Sequence, residues 1–129
     1  MRIRQGIDIV QVERIRQSIE KHERLFLDKI FTPSEQAYCE SQRRKYEHYA
    51  ARFAAKEAVV KALRASGKRS WTLREIEIIR EGTGKPAVKL SSQVRRRLGL
   101  SGKARIEISL SHERECAVAA AVLWDPLAR

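Results

Sequence analysis

Two carboxylates and a lysine carry the strongest chemical signal in this chain. Asp8 stands inside the run Gly6-Ile7-Asp8-Ile9-Val10, although aspartate is depleted in strands and a carboxylate placed there needs a partner. Spacing leaves two readings open. Asp8 could cap the following helix, with Gln11 three residues on, or it could be a hard-metal ligand at a strand end that needs a second oxygen donor. Glu57 can supply that donor. In Arg52-Phe53-Ala54-Ala55-Lys56-Glu57-Ala58-Val59-Val60-Lys61, helical periodicity puts Glu57 and Lys61 on the face of Ala50, Phe53 and Ala54, where an unpaired carboxylate is costly. A carboxylate for a cation and a lysine for a phosphate would then lie side by side. An ordinary ion pair between Glu57 and Lys61, four residues apart, accounts for the same spacing.

Other positions carry less. Gly84-Lys85-Pro86 is what a hairpin turn uses with or without a ligand. Ser109, Ser111 and His112 fall at or near a strand end, where hydroxyls and an imidazole could hold phosphate oxygens, but no Ser-His-Asp order is present. Cys39 has no identifiable activating base, so covalent catalysis by the protein is not expected. Cys39 and Cys116 are far apart with no second ligand beside them, and both are read as structural.

The elements that must position these residues follow from periodicity. Arg2 to Val10 alternates, with Ile3, Ile7 and Ile9 on one side and Arg2, Arg4, Gly6 and Asp8 on the other, as in a half-buried strand. From about Gln11, Val12, Ile15 and Ile19 recur at helical spacing, which leaves Arg14, Gln17, Lys21 and Arg24 on an opposite, basic face. Thr32-Pro33-Ser34-Glu35 is a helix start: a capping threonine, a proline at the first helical position and a glutamate able to reach back. The alanine-rich segment from about Ser41 to Leu63 lacks glycine and proline and predicts a long helix, largely buried in its second half and ended by Ser66-Gly67-Lys68. A strand around Leu73 to Arg80, a glycine-rich turn and a strand from Ala87 to Leu90 predict a hairpin. A short basic helix, Ser91 to Leu98, and strands Ala104 to Leu110 and Glu115 to Trp124 complete the pattern. This order predicts one α+β domain over residues 1–129, with a mainly antiparallel sheet packed against the long buried helix.

Composition narrows the partners without choosing one. A net charge of +11 on 129 residues draws polyanions of any kind, whether nucleic acid, acidic lipid, phosphorylated cofactor or acidic protein. The longest apolar run, Cys116 to Trp124, is too short to cross a bilayer, and the N-terminal residues lack the apolar core of a secretory signal. A cytoplasmic location is expected, with no membrane partner. A basic nucleic-acid-binding module is the main rival to an enzyme, supported by the charge and by Arg95, Arg96 and Arg97, but stacking aromatics at regular positions are missing.

The motifs together resemble a known family. Gly6-Ile7-Asp8-Ile9-Val10 followed by Arg52-Phe53-Ala54-Ala55-Lys56-Glu57-Ala58-Val59-Val60-Lys61 is similar to the paired signatures of holo-acyl-carrier-protein synthases. The likeness continues through Phe31-Thr32-Pro33-Ser34-Glu35, Gly84-Lys85-Pro86 and Ser109-Leu110-Ser111-His112, with Tyr49 and Cys116 as departures from the usual leucine and aromatic residue. The resemblance implies the 4'-phosphopantetheinyl transferase fold. It also implies a magnesium ion held by Asp8 and Glu57, and transfer of phosphopantetheine from coenzyme A to a serine of an acidic acyl carrier protein for fatty acid biosynthesis. By the same resemblance, Lys61 offsets phosphoryl charge, Gly84, Lys85 and Pro86 border the adenine, and Arg52, Ser111 and His112 contact phosphates. Arg14, with Lys21 and Arg24, is expected to meet the carrier. A homotrimer with sites at subunit boundaries is implied as well.

Overall fold

Alanine sets how closely this chain packs. The computed structural model describes residues 1–63 and 73–128, so the expected helix stop at Ser66-Gly67-Lys68 lies outside the described residues. The long helix α4 (Lys45–Leu63) buries Ala50, Ala51, Ala54, Ala55, Ala58 and Ala62. The strand β5 (Cys116–Asp125) buries Ala117, Ala119 and Ala121. Short side chains on both partners let the helix lie close along the sheet, with Val59, Leu63, Ile108 and Leu123 filling the spaces between.

The strand β5 is central in an antiparallel sheet of order β1-β5-β4, where β1 is Arg2–Gln11 and β4 is Arg105–His112. A hairpin of β2 (Ile76–Arg80) and β3 (Pro86–Leu90) forms a second sheet and turns Ile76 and Ile78 into the same core. A short 3-10 turn (Leu73–Glu75) leads into β2. The turn of the hairpin uses Gly84 at φ 87, a left-handed conformation that glycine adopts without strain. The α+β class with an antiparallel sheet on a long buried helix is therefore as expected.

One face is reversed. In β1 the inward, half-buried row is Arg2, Arg4, Gly6, Asp8 and Val10, while Ile3, Ile7 and Ile9 are 61%, 64% and 68% exposed. With α4 pressed onto the Gly6 side, the isoleucines point to the open face of the sheet, joined there by Val122 and Trp124 of β5.

The helical region is built on a second core of Val12, Ile15, Ile19, Phe31, Cys39 and Tyr49. The first helix stops short of Arg24, which the sequence placed on its basic face. It ends at His22 as α1 (Val12–His22), and Glu23 at φ 46 and ψ −123 breaks the chain before α2 (Arg24–Ile30). Arg24 consequently does not share the basic face of α1; it opens α2 and donates to Gln36 at 2.6 Å. The next start is as expected. Thr32 caps α3 (Pro33–Glu40), its hydroxyl accepting from the Glu35 amide while the Glu35 carboxylate accepts from the Thr32 amide at 2.7 Å. The remaining helix is α5 (Ser92–Arg97), capped by Ser91.

Candidate functional site

The lysine end of α4 meets the middle of β1. Lys61 Nζ donates to the Ile7 carbonyl at 2.7 Å and to Asp8 Oδ1 at 3.2 Å. The approach is possible because Gly6 carries no side chain where β1 crosses α4. Asp8 pairs with Ala119 inside the sheet, and α1 is preceded by Gln11 with no side-chain cap, so the capping reading of Asp8 is overturned. Its side chain is 20% exposed and shares its charge with a lysine that is 51% exposed.

Glu57 stands half-buried on α4, one turn before Lys61 and therefore ~6 Å along the axis. Among the described residues, no group of three or more histidine, cysteine or carboxylate side chains is arranged to hold a metal. Asp8 and Glu57 instead offer two hard oxygen donors beside a lysine. That set suits magnesium, which takes one or two carboxylates and completes its shell with substrate phosphate and water.

About two turns toward the start of α4 lies a cluster of cationic and aromatic groups. Arg52 is buried with its guanidinium 4.1 Å from the centre of the Tyr38 ring, and its Nε has no hydrogen-bond partner among the described residues. Arg80, the last residue of β2, stacks on the same ring at 4.9 Å and donates to the Tyr38 hydroxyl. His48 packs edge-on against Tyr38 and against His112, and His112 Nδ1 meets Glu47 Oε1 at 3.0 Å. Burial, and then the positive charge of His112 and Arg52, hold the His48 imidazole below its ordinary value. Two guanidiniums and the His48 imidazole meet around one phenol, with His112 behind His48, and the two guanidiniums suit an anion. The cluster opens beside a groove of about 780 Å³ whose lining mixes Arg43, Arg44 and Arg114 with Glu47, Glu113 and Glu115.

Tyr38, His48 and Arg80 were not singled out from sequence, because they lie on α3, α4 and β2 and meet only in the fold. Ser111 and His112 are not brought together. The Val10, Ala117 and His112 row faces α4, whereas Ile9, Val118 and Ser111 lie on the opposite face. At the hairpin, Lys85 pairs with Glu107 at 3.0 Å. Arg14 and Lys21 are exposed on α1, with Arg14 beside a groove that also includes Ile9 and Arg114. Cys39 is buried in α3, and burial pushes its thiol up to about 12, so it is inert.

The sequence profile of the 4'-phosphopantetheinyl transferase superfamily matches residues 4–121. The chain belongs to this superfamily. It is 47% identical over 119 residues to a holo-[acyl-carrier-protein] synthase of Ruminiclostridium cellulolyticum, covering 92% of this chain and 89% of the relative. A synthase of the same name from Moorella thermoacetica is 45% identical over 119 residues, covering 92% and 91%. The fold superposes on the Chronobacterium ammoniagenes ACPS-CoA complex with a TM-score of 0.83 and 27% identity, covering 97% of this chain and 98% of that one. It also superposes on the Helicobacter pylori synthase in complex with coenzyme A, with a TM-score of 0.81 and 28% identity, covering 93% and 99%.

Proposed function

We infer that this chain transfers the 4'-phosphopantetheine group of coenzyme A to a serine of apo-acyl carrier protein, releasing adenosine 3',5'-bisphosphate. The observation that carries the reading is the meeting of Asp8 and Lys61 at one end of α4, with Arg52 and its cationic cluster farther along the same helix. One end offers carboxylates and a lysine for a reacting pyrophosphate. The other offers guanidiniums for a second, remote phosphate, and coenzyme A carries both. Two structural neighbours are complexes with coenzyme A.

In this reading the carrier's serine oxygen attacks the β-phosphorus, the bond from that phosphorus to the bridging oxygen breaks, and the α-phosphate leaves with the nucleotide. A magnesium ion held by Asp8 and Glu57 would supply Lewis-acid charge at the pyrophosphate. Lys61, half-exposed and already turned toward Asp8, offsets charge on the phosphoryl oxygens. Glu57 is the candidate acceptor for the serine proton. Arg52 presents its unpartnered Nε to phosphate, and Lys85 at the glycine turn borders the adenine. The exposed Arg14 and Lys21 on α1 complement an acidic carrier and steer its approach.

Assembly belongs to the same reading. A three-stranded sheet with a helix on one face and Ile3, Ile7, Ile9, Val122 and Trp124 bare on the other lacks a layer. Further copies of the chain fill it in the trimer that the family resemblance implies. Ser111, on that outer face, then lies at a subunit boundary.

The rival reading loses its main support. Arg95 donates to the Ala104 carbonyl at 2.9 Å and Arg97 pairs with Glu75 at 2.5 Å, so much of the arginine run is engaged within the chain. No helix among the described residues is long and apolar enough to cross a membrane. Incubation with coenzyme A, magnesium and apo-carrier, followed by mass spectrometry of the carrier, tests the function. The carrier gains one phosphopantetheinyl group if the reading is right, and an unchanged carrier mass refutes it.

A further inference from the structure

Lys56 precedes Glu57 but points the other way, into the protein. Its ammonium is fully buried and makes three hydrogen bonds: to the Ile30 carbonyl at 2.8 Å, to Glu35 Oε1 at 2.7 Å and to the Leu73 carbonyl at 3.1 Å. Glu35 is equally buried and fully used. Its Oε1 also accepts from the Thr32 amide, and its Oε2 accepts from the Ile78 amide at 2.7 Å. This single ion pair joins the end of α2, the start of α3, the middle of α4, the 3-10 turn and the middle of β2.

A buried pair of this kind is a poor source of stability, because desolvation of two charges offsets most of their attraction. Burial indeed holds the Lys56 ammonium below its ordinary value despite the attraction of Glu35. Specificity of placement is the better account of what the pair contributes. The elements it pins to α4 are the two that bring Tyr38 and Arg80 to Arg52: Tyr38 lies one turn after Glu35 on α3, and Arg80 lies two residues after Ile78 on β2. Arg52 itself lies one turn before Lys56.

We propose that the Lys56–Glu35 pair is a positioning device for coenzyme A: it holds α3 and β2 against α4 so that Tyr38, Arg52 and Arg80 form one phosphate-binding wall in register with Glu57 and Lys61. Neither residue touches the substrate. Both act through the elements they anchor, so their loss raises the Michaelis constant for coenzyme A and leaves that for the carrier, which is met at α1, unchanged. The proposal rests on the function inferred above.

The test uses Glu35→Gln and the double variant Glu35→Gln/Lys56→Met in the full chain. Removing both charges avoids the uncompensated buried charge that a single Lys56→Met would leave, and the double variant is expected to keep its melting temperature. Coenzyme A binding is measured by calorimetry and Michaelis constants by steady-state kinetics. In the double variant the dissociation constant and the Michaelis constant for coenzyme A rise roughly tenfold, the effect of a displaced wall rather than of a lost contact, while the carrier constant stays within about twofold. Glu35→Gln preserves shape but leaves Lys56 without its carboxylate, so its melting temperature falls; measured at a temperature where it stays folded, it shows the same selective rise for coenzyme A and decides the matter if the double variant does not fold. Folded variants that bind coenzyme A as the unaltered protein does overturn the proposal, as does an equal rise for both substrates. Absence of coenzyme A binding in the unaltered protein would instead overturn the inferred function itself, so the two failures are distinguishable.

Discussion

Gly6 and Ala58 approach so closely that a Cβ on Gly6 would collide with the Ala58 carbonyl oxygen, and would also stand 2.8 Å from Lys61 Cβ and 2.9 Å from the Ala62 amide. Two of these three atoms are backbone of α4 and cannot swing aside, so strand and helix must separate to admit even one methyl group. Gly6→Ala is therefore expected to cost about 3 kcal/mol of stability and to move Lys61 off Asp8, with loss of transfer in whatever remains folded. Urea unfolding of the variant beside the unaltered protein measures the first effect, and turnover of the folded fraction the second.

Glu23 makes the opposite prediction. It is the sole non-glycine residue with positive φ among the described residues, at φ 46 and ψ −123, and its side chain has no capping role there. Glu23→Gly should relieve that strain and stabilise the protein by about 1 kcal/mol, net of glycine's greater entropy in the unfolded chain. A thermal melt reads the gain directly, and a lowered melting temperature would show that the backbone there is unstrained.

Ile7 tests the assembly. It is 64% exposed in the single chain, midway along the edge strand β1 on the bare sheet face. Ile7→Glu sets a charge in a face that copies of the chain would cover, so sedimentation equilibrium should shift from trimer to monomer while the α4 face keeps its core. A trimer that persists in the variant would move the interface elsewhere.

How much of this was readable beforehand depends on distance along the chain. The capping box from Thr32 to Glu35 and the alternation of β1 are local patterns, and both are present in the fold. Which face of β1 is buried was not local. Ile3, Ile7 and Ile9 look like the core side, but Gly6 and the alanines of α4 decide that the other side packs, and three isoleucines turned outward carry the mark of an interface only once α4 is placed. The break at Glu23 had no glycine or proline to announce it. Asp8 and Lys61 were recognised as candidates but their contact was not, since 53 residues separate them. Lys56 gave one overlooked signal, a charge next to Ala54 and Ala55 in the most apolar part of a buried helix. A lysine there needs an acidic partner, and Glu35, already assigned to a cap, has a second oxygen to give.

His48 makes stability depend on pH. Its folded value is lowered, first by burial and then by the nearby charges of His112, Arg52 and Arg80 against the opposing Glu47. The unfolded chain therefore binds a proton more readily than the fold. Stability is fully present above the ordinary histidine value of about 6.5 and is lost as pH falls through it toward the lower folded value. Melting temperatures between pH 8 and pH 5, chosen as approximate limits about this value, should fall less steeply in His48→Gln than in the unaltered protein. Parallel curves would show that His48 is not a source of the acid loss.

The proposed transfer depends on Asp8 and Glu57 acting as carboxylates beside Lys61. Asp8→Asn and Glu57→Gln keep each side chain's shape and remove its charge. The direct measurement is the mass of apo-carrier after incubation with each variant, coenzyme A and a rising concentration of magnesium, with coenzyme A binding through the Arg52 cluster followed in parallel by calorimetry. The prediction is an unaltered protein that loads the carrier fully and variants that still bind coenzyme A yet load almost none, with Glu57→Gln unrescued by added magnesium. Full loading by either variant at ordinary magnesium would contradict the two-carboxylate site.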